Sequence, residues 1–69
     1  MTRSLIVNGS KEILAATTIS ELLLARELAP DMRGVAIALN GRVVPRAAWT
    51  TTPLREGDEV EIVRAMQGG

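Results

Sequence analysis

The sequence predicts an α+β fold, with one helix packed on one face of a mixed sheet of about five strands. Three features carry that expectation. Two Asn-Gly dipeptides, Asn8-Gly9 and Asn40-Gly41, each sit between short extended runs. Both residues of such a pair tolerate positive φ, which a two-residue hairpin turn demands. Between the hairpins lies a single segment with helical spacing and a start signal, and the last strand alternates strictly.

The elements follow in order. Leu5-Ile6-Val7 is the first strand, and Lys11-Glu12-Ile13-Leu14-Ala15 returns beside it. Thr18-Ile19-Ser20-Glu21 has the form of a capping box, in which Thr18 accepts from the Glu21 backbone and Glu21 reaches back to Thr18. Ile19, Leu22 and Leu23 then share a helix face, while Leu24 and Leu28 make a second i,i+4 pair. Pro30 lacks an N–H and restricts Ala29, so the helix runs from about Ile19 to Leu28 and ends in Asp31-Met32-Arg33-Gly34. Val35-Ala36-Ile37-Ala38-Leu39 is a continuous apolar strand that turns at Asn40-Gly41 into Arg42-Val43-Val44. Pro45 closes that strand because it cannot donate to a ladder. Pro53 and Gly57-Asp58 mark loop and turn before Glu59-Val60-Glu61-Ile62-Val63, whose alternation indicates one buried and one wet face. Strand, strand, helix, strand, strand, strand is the order of the ubiquitin-like β-grasp. Residues 1–65 are read as that domain, and residues 66–69 as a flexible tail ending in Gly-Gly.

Composition bounds the function. With 69 residues there is room for one domain, which buries roughly 60% of its unfolded surface. An apolar share of 46% is enough to fold rather than remain disordered. The chain has no cysteine, so neither disulfides nor a zinc knuckle support the core. Eight basic side chains balance eight acidic ones without any block of like charge, and Trp49 is the only aromatic. A nucleic-acid surface calls for a basic stripe with aromatics to stack on, so no nucleic-acid partner is expected. The apolar run at the start is three residues long, against about seven to fifteen for a signal peptide and about twenty for a membrane span. The expectation is a cytoplasmic protein without a membrane partner.

Reactive side chains are scarce. Histidine, cysteine and tyrosine are all absent, which removes the commonest general bases and the thiol nucleophile. No glycine-rich phosphate loop follows a strand, so the chain is read as a non-enzyme with no bound cofactor, and any ATP chemistry falls to another protein. Glu56, Asp58, Glu59 and Glu61 could be gathered into a metal or acid–base site, but they read better as a polar turn and the wet face of a strand. Thr17, Thr18 and Ser20 read as helix-start residues, Thr50-Thr51-Thr52 as plain loop, and Trp49 as a packing residue at the core's edge.

Gly68-Gly69 is the exception. Two glycines at a chain end arise by chance about once in two hundred sequences at ordinary glycine usage. Lacking side chains, they let the backbone thread a narrow channel and bring an unhindered carboxylate to another protein's active site. Met66 and Gln67 lengthen the arm, and four extended residues span about 13 Å. Apolar side chains on the sheet face away from the helix are expected to dock partners in turn, with Arg46 and Arg64 as possible rim contacts.

The chain resembles the ThiS family, the sulfur carriers of thiamine biosynthesis. The residues carrying the likeness are the Asn40-Gly41 hairpin, Val43-Val44-Pro45-Arg46-Ala47-Ala48-Trp49, the stretch from Leu54 to Ile62, and Gln67-Gly68-Gly69. Val-Pro-Arg-x-x-Trp is the specific part; the Gly-Asp turn and terminal Gly-Gly are shared with other β-grasp carriers. The resemblance implies that an E1-like enzyme uses ATP to adenylate the Gly69 carboxylate. A sulfur donor relay then converts it to a thiocarboxylate, and thiazole synthase takes the sulfur. Three other readings stay open at this point: the small subunit of a molybdopterin synthase, a ubiquitin-like protein modifier, and a β-grasp interaction module with no use for its terminus.

Overall fold

Among the described residues, five strands form one sheet in the order β2-β1-β5-β3-β4, and one α-helix covers one of its faces. The computed structural model describes residues 1–26 and 34–64. β1 (Arg3–Val7) and β2 (Ser10–Leu14) pair antiparallel around Asn8-Gly9, and β3 (Val35–Leu39) and β4 (Arg42–Val44) do so around Asn40-Gly41. Both asparagines have positive φ, 50° and 51°, and the glycines after them lie at 83° and 85°. That combination is the type I′ turn, whose twist matches the strands it joins. β5 (Glu59–Arg64) runs between the hairpins, parallel to β1 and antiparallel to β3. This is the ubiquitin-like β-grasp expected from the element order.

Helix α1 (Ile19–Ala25) lays Ile19, Leu22 and Leu23 on the sheet, and all three are fully buried. They meet Leu5 and Val7 of β1, Ile37 of β3 and Val60 of β5 in one core, closed at its rim by Ala16, Trp49 and Leu54. Each large aliphatic in it contributes about 1.5–3 kcal/mol by leaving water. Register puts those strand residues on one face: Val7 stands beside Val60, and Val60 opposite Leu39.

Several boundaries differ from the sequence reading. The two-residue turn sets Ser10 directly opposite Val7, so β2 is Ser10–Leu14 and pairing extends β1 back to Arg3. β5 continues one residue further, to Arg64, because Val35 of β3 stands opposite it. Helix α1 closes at Ala25, where the Arg26 N–H is shared between the Leu22 and Leu23 carbonyls and the backbone leaves the helical region. Leu24 faces solvent, and Leu28, its expected partner, lies outside the described residues. The capping box is also displaced. Glu21 N–H donates to Thr18 Oγ1 as expected, but the Glu21 carboxylate accepts from the Thr17 N–H at 2.7 Å and its hydroxyl at 2.8 Å. Thr17 comes within reach because the chain enters the helix extended, bridged to Pro53. A short 3-10 turn, η1 (Arg46–Ala48), follows β4 where no helix was expected.

Candidate functional site

The acidic cluster resolves into structure. Glu56 accepts from the Ser4 N–H at 2.8 Å, and Asp58 accepts from the Arg55 N–H at 2.8 Å and the Asn40 amide at 3.0 Å. These bonds shape the turn that leads into β5. Glu59 and Glu61 stand on the outer face of the sheet, and no cluster suited to a metal ion occurs among the described residues. Ser20 is buried with its hydroxyl unpartnered, and the chain has no histidine to activate it.

The Val44-Pro45-Arg46 to Trp49 string has a structural use that its sequence did not reveal. Pro45 leads into η1, which folds the chain back so that Trp49 enters the core and its Nε1–H reaches the Val44 carbonyl at 2.9 Å. The Arg46 guanidinium lies over the indole, 5.4 Å from its centroid, at cation–π distance. The Ala48 carbonyl accepts from the Thr52 hydroxyl at 2.6 Å, and Trp49 and Thr52 carbonyls accept from the first helical N–H groups, Ser20 and Ile19. Thr52 is therefore no plain loop residue. The string ties β4 to the start of α1, and Arg46 is placed on Trp49 by that fold.

Away from the helix the sheet presents a mixed face, with apolar side chains on β2, β4 and β5 and the carboxylates of Glu59 and Glu61 at its middle. Ile13, Val43 and Val63 stand on this outer face and are 63%, 78% and 57% exposed. A groove of about 690 Å³ crosses the same face between the two Asn-Gly turns, with Ile6, Glu59 and Glu61 in its lining. β5, at the middle of the face, ends in Arg64 and leads toward residues 65–69. The domain boundary after residue 65 and the expected arm, Met66, Gln67, Gly68 and Gly69, lie outside the described residues. Arg46 follows edge strand β4 and Arg64 ends central β5, and because Val44 and Ile62 both stand opposite Ile37, the two arginines lie toward the same end of the sheet.

A family model described as the ThiS family matches residues 5–69, nearly the whole chain. The chain belongs to the ThiS family. Among its relatives, the sulfur carrier protein ThiS of Thermus thermophilus is 38% identical over 63 residues, covering 91% of this chain and 95% of that one. The Escherichia coli sulfur carrier protein ThiS is 33% identical over 55 residues, 80% of either chain. A thiazole synthase of Paramagnetospirillum magneticum is 35% identical over 65 residues, which is 94% of this chain but 20% of that longer protein. The crystal structure of a ThiS thiamine biosynthesis protein from Geobacter metallireducens superimposes with a TM-score of 0.79 at 35% identity, covering 96% of this chain and 99% of that one. The matched residues, 5–69, include the Trp49 string, Ile13, Val43, Val63 and Gly68-Gly69.

Proposed function

We propose that Gly69 carries the sulfur that this chain, a sulfur carrier for thiamine biosynthesis, delivers. The observation behind the proposal is the family match, which runs unbroken through Gly68-Gly69. An E1-like enzyme adenylates the Gly69 carboxylate with ATP and turns a poor electrophile into an acyl donor. A sulfur donor relay then displaces AMP and leaves a thiocarboxylate. Thiazole synthase receives the sulfur, a partnership supported by the relative in which a segment like this chain is part of a protein named thiazole synthase. The carrier itself is not an enzyme. It contributes an acyl carbon on an arm, Met66 to Gly69, and a surface to hold it in place, so its contribution to rate is proximity.

Intact mass tests the proposal. Incubation with ATP, the activating enzyme and a sulfur donor is expected to raise the mass by the difference between one sulfur and one oxygen, with fragmentation placing the change on Gly69. Deletion of Gly69 abolishes the change and leaves thermal unfolding unaltered. Gly68→Val folds normally but is not activated, since a β-branched side chain narrows the backbone's choices and obstructs a channel. A chain lacking Gly69 that restored thiazole synthesis at the normal rate would exclude Gly69 as the attachment point.

A further inference from the structure

β5 is longer than the strand beside it. It pairs with β3 over five residues, from Leu39 opposite Val60 to Val35 opposite Arg64, but with β1 only at Glu59 and Val60. β1 has by then turned back at Asn8-Gly9. In an antiparallel ladder, alternate residues direct both backbone groups to the partner strand. The Asn40 N–H donates to the Glu59 carbonyl at 2.8 Å, so Glu59, Glu61 and Val63 are the residues facing β3. Val60, Ile62 and Arg64 therefore face the β1 side, and the Asn8 N–H donates to the Val60 carbonyl there at 2.9 Å. The Ile62 N–H finds the Asn8 side-chain oxygen at 2.8 Å in place of a strand carbonyl. Beyond that bond, the Ile62 carbonyl and the Arg64 N–H are directed toward a notch of about 210 Å³ that is open among the described residues. It is lined by Asn8, Arg26, Ile62 and Arg64.

We infer that an extended strand of thiazole synthase adds to β5 in this notch, pairing with the Ile62 carbonyl and the Arg64 N–H, and carries a carboxylate toward Arg64. An open strand edge is a template for pairing, with main-chain bonds giving affinity and side chains giving selectivity. Charge selects the occupant. Arg26 is already paired with Glu12, while Arg64 has no acidic partner among the described residues, so an acidic strand is complementary and a basic one is repelled. Position selects it too: the notch flanks the last residues of β5 before the arm, and pairing there fixes the direction in which the arm leaves. The inference rests on thiazole synthase being the protein that receives the arm.

Hydrogen exchange of the full-length, isotopically labelled chain, alone and with thiazole synthase, tests it. The Arg64 amide is expected to exchange freely in the isolated carrier and to slow by at least about tenfold in the complex, as for a newly made hydrogen bond. Arg64→Pro removes that N–H without touching the β3 ladder, since residue 64 directs its N–H away from β3. It weakens binding about tenfold, whereas Arg64→Ala keeps the N–H and weakens binding a few-fold, with less dependence on salt. An Arg64 amide protected in the isolated carrier would mean that its own chain, or at high concentration a second copy, fills the notch, and would overturn the inference. Binding with the Arg64 amide unchanged would overturn it while leaving the carrier function intact. Failure of thiazole synthase to bind at all would overturn both.

Discussion

Asn8 and Asn40 each have two uses, and only one is visible in the sequence. As the first residue of an Asn-Gly pair, either asparagine announces a hairpin turn through its tolerance of positive φ. The second use depends on a strand about twenty residues away for Asn40 and more than fifty for Asn8. The Asn40 side chain accepts from the Glu59 N–H at 2.9 Å and donates to Asp58, and the Asn8 side chain accepts from the Ile62 N–H. Both hairpin turns are thereby joined to central β5, a connection no local pattern records. Asn40→Gly separates the two uses, because glycine keeps the φ and loses the amide. It is expected to cost roughly 1–3 kcal/mol in urea unfolding, the net worth of the two side-chain hydrogen bonds lost. Glu21 gives a second residue-scale test. The Thr17 backbone N–H, then its hydroxyl, hold the Glu21 carboxyl below the usual carboxylate range, with a smaller favourable contribution from Arg3. A carboxylate with a depressed folded-state pKa stabilises above its unfolded value, and the benefit is lost as pH falls through the folded value. Acid therefore loosens the helix start. Glu21→Gln should show a flatter dependence of melting temperature on pH below the ordinary carboxylate range, and curves of equal slope would show that these bonds are not formed in solution.

At the scale of the element, legibility follows whether the information is local. β3 and β4 have the bounds their residues suggest because an apolar run, an Asn-Gly turn and Pro45 lie side by side in sequence. Turn η1 was not legible, since its stability comes from Trp49 reaching back to Val44 and from Thr52 closing on Ala48, not from its own residues. The helix is intermediate: its start and buried face were readable from Thr18 and the Leu22-Leu23 spacing, whereas the Glu21 contact depended on how the chain arrives at Thr17. The face itself can be measured with two neighbouring leucines of the same chemistry. Leu23 is fully buried and Leu24 is 58% exposed, one residue apart on α1. Leu23→Ala is expected to cost about 2–5 kcal/mol, the transfer term plus the cavity left under the helix. Leu24→Ala should stay within about 0.5 kcal/mol, because alanine suits an exposed helix position. Equal costs in chemical denaturation would mean that the helix does not rest on the sheet through this face.

For the whole molecule, the proposed function asks 69 residues to serve two partners in sequence. The sheet has two faces, and α1 covers one, so the outer face is the sheet surface left for a protein to grip. The exposed valines on it were partly legible, since Val63 and Val43 sit at positions that alternate away from the core. Which strands bring them onto one surface required the order β2-β1-β5-β3-β4. There is also one arm. Under the proposed function, an enzyme that adenylates Gly69 and an enzyme that removes its sulfur each draw the same four residues, 66–69, into an active site. Each must therefore hold the domain at a similar distance from that site, and an arm of about 13 Å leaves little freedom in where the grip is placed. The two partners should compete for the carrier, and a charge placed on the shared face should weaken both. Val43→Glu is the suitable substitution, since Val43 is 78% exposed and contributes little to the core. It is expected to leave unfolding within about 0.5 kcal/mol of the parent. It should also reduce affinity for the activating enzyme and for thiazole synthase by about tenfold or more, as a buried, unpaired charge does at an interface. Sedimentation of the three proteins together supplies the complementary measurement. One carrier found with both partners bound at once would show that the grips are separate, and that the outer face belongs to at most one of them.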